Sequence, residues 1–284
     1  MPRYLACLVA IVLVCCQASL AAEPAVEPWD IAIVAPHSDD EAIGCTAVML
    51  RALADKKRVG VVIVTAGDAH VGAAAALVKK SVEQLTPADF EALAGRRQQH
   101  TLDALKQLGL QRDDIVMLGY PDGGMQPIYE AAGDEPYKQK HTGRTATYGP
   151  IVRDYHTLTH GAPAPYRKAS VIADLAETFR THRPQQIYTT NEADTHADHR
   201  AVMWYVRDAV AKAEFRGKLY TYVVHGRPPT AAPSLRLQLT AAELRRKRAT
   251  IEIYQAGVSP VHDDLADHYA LPEELFWAVE LGAK

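Results

Sequence analysis

Two short runs in the chain concentrate side chains able to hold an ion and move protons. The first is Pro36-His37-Ser38-Asp39-Asp40-Glu41 and the second is Asp194-Thr195-His196-Ala197-Asp198-His199. Imidazole nitrogen and carboxylate oxygen together form a donor set suited to a divalent transition ion such as zinc. His37 and Asp40 are separated by a spacing that, across a turn between strand and helix, lets both face one point. With His199 as the third ligand the set becomes two imidazoles and one carboxylate, which leaves a position open for water, as a catalytic zinc needs. Water on such a centre loses its proton near neutrality, and Asp39, beside a ligand in sequence, suits the base that takes it. His196, held through its other ring nitrogen by Asp198 or Asp194, suits the group that stabilises a developing oxyanion and protonates a leaving amine. A simpler reading is that Ser38 or Asp39 caps a helix whose positive N-terminus favours the neighbouring acids.

Both runs need a scaffold that brings them together. From Pro28 onward, β-branched runs alternate with helical patterns: Ile31-Ala35, Ala47-Ala54, Val59-Thr65, Gln98-Leu108 and Ile115-Leu118 read as strand, helix, strand, helix, strand. Strands that are apolar on both faces, such as Val61-Val62-Ile63-Val64, belong inside a parallel sheet covered on each side by helices. The alternation resumes with a helix near 168–182, a strand at 186–190, a helix near 197–212, a strand at 218–224 and a charged helix near 241–255. The expected fold is α/β, a Rossmann-like doubly wound, mostly parallel sheet. Each motif then follows a strand, at the rim where such sheets place their ligands. Residues 120–167 lose periodicity and read as an irregular insertion that walls or lids the site. Its tyrosines 120, 129, 137, 148, 155 and 166 suit either stacking on sugar rings or packing of the loop onto the core.

Composition narrows the class of function. The 284 residues are 48% hydrophobic and 23% charged, with a net charge of -3, so there is no cationic excess to bind a phosphate backbone. Arg3, the apolar run from Tyr4 to Cys16 and the small residues Ala18, Ser19, Ala21 and Ala22 read as a secretory signal peptide over residues 1–22. Export to the periplasm or beyond is therefore expected, with residues 23–284 as one α/β domain and no membrane span after cleavage. Cys7, Cys15 and Cys16 leave with the peptide and Cys45 remains, so no internal disulfide is expected.

Pro-His-Ser-Asp-Asp-Glu followed far downstream by His-Ala-Asp-His resembles the signatures His-Pro-Asp-Asp-Glu and His-Pro-Asp-His of the LmbE-like, or PIG-L, zinc-dependent N-deacetylases. The resemblance implies a Rossmann-like fold, zinc on His37, Asp40 and His199, a general base at Asp39, and His196 at the tetrahedral intermediate. It extends over roughly residues 30–255 through weaker echoes. Thr65-Ala66-Gly67-Asp68 is similar to the family's Thr-x-Gly-Glu turn, and the helix from Arg97 to Leu108-Gly109 to its arginine-bearing helix. Tyr120-Pro121-Asp122-Gly123 is similar to its aromatic-x-Asp-Gly turn. These imply substrate contacts at Asp68, Arg97 and Asp122, the last toward sugar hydroxyls. Each also reads as an ordinary turn or solvated helix face. Ser38, Ala197 and His100 depart from the pattern and bear on the pocket rather than the metal, as does Tyr254-Gln255-Ala256-Gly257. His262 reads as surface or lid chemistry. The activity implied is removal of an N-acetyl group from an N-acetylglucosamine-type sugar or glycoconjugate. The alternatives are another amide or ester at the same zinc, and a carbohydrate-binding relative without turnover.

Overall fold

The structure is a computed structural model that describes residues 26–258 and 264–282. The signal peptide expected at 1–22 and His262 lie outside the described residues. Elements follow in chain order as β1 (Ile31–Ala35), α1 (Asp40–Ala54), β2 (Val59–Thr65), α2 (Val71–Val78), α3 (Pro87–Leu108), β3 (Ile115–Tyr120), α4 (Met125–Glu130), α5 (Tyr155–His160) and α6 (Lys168–His182). The second half adds β4 (Gln186–Thr190), α7 (Ala197–Lys212), β5 (Lys218–Tyr222), β6 (Leu235–Gln238), α8 (Ala241–Gln255), α9 (Leu265–Tyr269) and β7 (Glu273–Val279).

The strands form one sheet in the order β3-β2-β1-β4-β5-β7-β6. The first five run parallel, and β7 pairs antiparallel with both β5 and β6. Every residue of β1 and β2 is buried, which accounts for their unbroken apolar character. Side chains alternate between two cores. Ile31, Ile33 and Ala35 face Val48 and Met49 of α1 and Leu105 and Leu108 of α3. Ala32 and Val34 face Leu175 and Phe179 of α6 and Val202 and Val206 of α7. Burying a residue such as Val34 or Leu175 contributes about 1.5–3 kcal/mol relative to leaving it in water. Gly60 of β2 is dictated by packing, since a Cβ there would lie 2.1 Å from the Trp29 indole.

The chain winds outward from β1 to β3, then crosses back so that β4 lands on the other side of β1. That reversal opens a crevice at the carboxyl ends of β1 and β4. The first motif follows β1 and the second follows β4.

Several elements differ from expectation for identifiable reasons. α3 begins at Pro87, because Thr86 and Asp89 form a capping box around a proline at the first helical position. In the 120–167 stretch, two short helices form, and the chain between and after them is tied together by Tyr137 N–H to Tyr166 O (2.9 Å) and Thr147 N–H to Ala164 O (2.8 Å). Tyr120, Tyr148, Tyr155 and Tyr166 are buried there, so these four pack the loop onto the core. Neither β6 nor β7 was expected. β7 joins antiparallel between β5 and the edge strand β6, and its Glu274 meets Lys247 of α8 at 2.9 Å with both side chains almost fully buried. Among the described residues, no helix is long and apolar enough to cross a membrane.

Candidate active site

The first motif is a turn closed on itself. His37 N–H donates to Asp40 Oδ2 at 2.9 Å, and the same oxygen lies 3.3 Å from His37 Nδ1. Asp39 takes the N-cap position of α1, with its carbonyl accepting from Ala42 and Ile43, but its side chain makes no capping hydrogen bond. The capping reading therefore does not account for this carboxylate. Asp39 also has φ 114°, a conformation that strains a non-glycine residue by roughly 1–3 kcal/mol. Glu41 Oε2 accepts from the Asp39 N–H at 3.2 Å, and Glu41 Oε1 accepts from the Tyr254 hydroxyl, so α8 helps to hold the turn.

The second motif brings His199, in the first turn of α7, against this turn. His199 Nε2 stands 3.2 Å from His37 Nδ1 and 3.2 Å from Asp40 Oδ2. With the 3.3 Å from Asp40 to His37, three donor atoms form a nearly equilateral triangle. Donors at three corners of a tetrahedron around zinc, with bonds of about 2.0 Å, stand about 3.3 Å apart. The spacing and chemistry of His37, Asp40 and His199 therefore fit such an ion, with one position left to solvent or substrate.

The far nitrogens of both imidazoles are oriented by carboxylates, as metal-binding histidines require. His37 Nε2 faces Asp198 and Asp122, each at 3.2 Å. His199 Nδ1 faces Asp194 Oδ2 at 3.1 Å. Burial lowers the His199 pKa, but Asp40 and Asp194 more than offset it and bring it to about 9. Asp194 is itself set by backbone N–H groups of His196 (2.9 Å), Val224 (2.9 Å) and His225 (3.0 Å).

This arrangement corrects the partnership expected for His196. Neither Asp198 nor Asp194 holds its ring through a side chain: Asp198 turns to His37, where it also accepts from Gly123 N–H (2.7 Å) and Met125 N–H (3.0 Å). His196 Nδ1 instead accepts from the Asp198 backbone N–H at 3.3 Å, leaving Nε2–H as the donor. Burial, with the nearby His37 and His199, pushes the His196 pKa down to about 4. Its ring stands edge-on to His37, with centroids 4.9 Å apart.

Arg97 of α3 arches over Gly67, where a Cβ would lie 2.8 Å from Arg97 Cδ. Its guanidinium donates to Ser38 O at 3.0 Å and lies 3.4 Å from Asp39 Oδ2 and 3.8 Å from Asp122 Oδ2. Burial pushes the Asp39 carboxyl up to about 7 against the opposing pull of Arg97.

Two expected substrate contacts are engaged elsewhere. Asp122 directs one oxygen at His37 and accepts from Ala69 N–H at 3.3 Å with the other. Asp68 is completely buried, accepting from Asp122 N–H (3.1 Å) and the Tyr148 hydroxyl (2.8 Å). Asp68 thus ties the loops after β2 and β3 together rather than lining the surface. His225, three residues beyond β5, was missed: its ring lies 4.9 Å from that of His199, and the Tyr269 hydroxyl is 3.0 Å from its Nδ1. A histidine just past a third parallel strand, at the same rim, was the available signal.

None of the curated proteins compared matches the chain. Among solved structures, the conserved protein TT1542 from Thermus thermophilus superposes with a TM-score of 0.55 at 21% identity, covering 90% of this chain and 97% of that one. GalB, the 4-carboxy-2-hydroxymuconate hydratase from Pseudomonas putida, superposes at 0.55 and 14% identity, covering 90% and 98%. The N,N'-diacetylchitobiose deacetylase from Pyrococcus horikoshii gives 0.55 at 16% identity, covering 88% and 83%. At these identities the likeness is one of fold. The family model described as PIG-L, GlcNAc-PI de-N-acetylase, matches residues 32–210, a span that takes in both motifs and more than half of the sequence. The chain belongs to the PIG-L family.

Proposed function

We propose that the protein is a metal-dependent hydrolase that removes the N-acetyl group from an N-acetylglucosamine-type sugar or glycoconjugate. The observation that carries this reading is the triangle of His37 Nδ1, Asp40 Oδ2 and His199 Nε2, flanked by Asp39 and His196, in a member of this family. Zinc, or another divalent transition ion held by those three residues, would supply a Lewis acid for water and for the acyl carbonyl.

The chain's own groups supply the proton transfers and the orientation. Asp39, fixed by Arg97 and Glu41, takes the proton of the attacking water and returns it to the departing sugar amine. His196 donates from Nε2 to the carbonyl oxygen as negative charge develops there, which only the tautomer set by the Asp198 amide allows. Asp122 and Asp198 keep the His37 ring aimed, and Asp194 does the same for His199.

GalB shows that one fold serves more than one reaction, so substrate has to be tested directly. The metal-loaded enzyme should release acetate from at least one of N-acetylglucosamine, N,N'-diacetylchitobiose or N-acetylglucosaminyl-phosphatidylinositol. Absence of acetate from all three, with metal bound, would remove the N-acetylglucosamine reading and leave another amide or ester. Export is also proposed, on Arg3 and the apolar run after it. Sequencing the N-terminus of the protein recovered outside the cytoplasm tests it, and a start near residue 23 is expected.

A further inference from the structure

A second group of ligand-type side chains stands apart from the active site, where α5 packs on α6. His156 and His160 are one helical turn apart on α5, so both rings project from one face, and their centroids are 4.4 Å apart. α6 presents Asp174 and Glu177, also one turn apart. Asp174 Oδ1 is 2.7 Å from His156 Nδ1, and Glu177 Oε2 is 2.9 Å from His160 Nε2. One donor atom from each of His156, His160 and Asp174 falls within a common span of 4.8 Å.

Two features distinguish this group from a pair of ordinary surface contacts. Asp174 is fully buried, and its second oxygen accepts from the Tyr120 hydroxyl at 2.6 Å. A carboxylate fixed on one side by a phenol is oriented before any ligand arrives, as carboxylate ligands of metals commonly are. The histidines, by contrast, open to solvent, with 25% of the His156 side chain and 42% of the His160 side chain exposed, so an ion has a path in.

We propose that His156, His160 and Asp174 bind a second divalent transition ion of the zinc class, with Glu177, which lies outside their common span, turning its half-buried side chain in as the fourth donor. Two imidazoles and two carboxylates make a complete tetrahedral set, and four protein donors leave no position for substrate. The ion is therefore structural, a clasp between α5 and α6, and its binding replaces the protons now shared in the two imidazole–carboxylate contacts. The site uses none of the residues of the active site and stands whether or not the deacetylase reading does.

The test is zinc content per chain after equilibration and desalting of the full-length mature protein, with every form prepared alike. About two zinc ions are expected for the wild type and about one for H160A, for E177Q and for H199A. The double variant H160A/H199A should retain none. H160A and E177Q should keep acetate release within about twofold, because neither residue touches the catalytic centre. About one zinc in the wild type, unchanged in H160A and E177Q, would overturn the proposal and leave two hydrogen bonds between helices.

Discussion

Asp198 Oδ2 lies 3.2 Å from His37 Nε2, joining the helix that follows β4 to the turn that follows β1. An imidazole whose far nitrogen is held by a carboxylate is a more basic and better-aimed ligand, and loss of such a partner typically costs 10–100-fold in metal affinity. Asp198→Asn should accordingly bind zinc about 10–100-fold more weakly in competition with a chromophoric chelator. Unchanged affinity would mean that Asp122 alone orients His37.

Asp39→Asn keeps the shape of the turn and removes the proposed base. Metal content should stay that of the wild type while kcat falls by about 10²–10⁴-fold, the usual contribution of general acid–base catalysis. Wild-type turnover in this variant would assign the proton transfer to another group.

Arg97 reaches Ser38 and Asp39 only because residue 67 lacks a side chain. Gly67→Ala puts a methyl group against Arg97 Cδ at a positive φ, so Arg97 must withdraw. The folded variant should lose about 10–100-fold in kcat/KM, with metal binding retained. An unaltered rate would show that Arg97 does not position the base.

His182 stacks on Trp29 with ring centroids 3.7 Å apart, and burial, with Arg58 nearby, holds its pKa down to about 4. Its folded pKa is below the unfolded value of about 6.5, so the unfolded chain binds the extra proton between these values. This contribution is fully present above the unfolded pKa and is lost as pH falls toward the folded one. Urea unfolding should show it as about 1 kcal/mol lost between about pH 7 and about pH 4.5, since solvent screens part of the effect on a half-buried ring. His182→Phe keeps a stacked ring without the titration and should lack that increment. An identical pH profile would refute the assignment.

Lys247 and Glu274 form a buried ion pair, and Glu274 also accepts from the Ala47 N–H at 3.0 Å. Removing one partner strands the other charge, so Lys247→Met should destabilise the protein by about 3–5 kcal/mol in urea unfolding. A loss below about 1 kcal/mol would show that Glu274 is already neutral in the native state.

Much of this was legible in the sequence for physical reasons. β1 and β2 are buried on both faces, so their apolar runs have no polar interruption to blur the ends. The bounds of α6 and α7 match those expected, since apolar residues recur at helical spacing in each. The donor triangle was legible because its three residues sit at two strand ends that parallel topology must bring side by side. Which carboxylate serves which histidine was not legible. Asp194 and Asp198 are both within five residues of His196 and His199, and backbone N–H groups donated by Val224, His225, Gly123 and Met125 decide where each turns. Those donors come from the loops after β5 and β3 and from the first residue of α4, far away in sequence. The roles of Asp68 and Asp122 were hidden likewise, because a turn motif does not reveal whether its carboxylate faces outward or accepts from the neighbouring loop.

β7 lies between β5 and β6, so one strand bridges the parallel half of the sheet to its outer edge. β6 precedes β7 in the chain but meets the sheet only through β7. β7 holds Glu274 against Lys247 and against α1, whose first residue is Asp40. The helix that begins with a corner of the donor triangle is thus held from its far side by the antiparallel strand, which couples the outer edge of the sheet to the rigidity of the turn that carries Asp39.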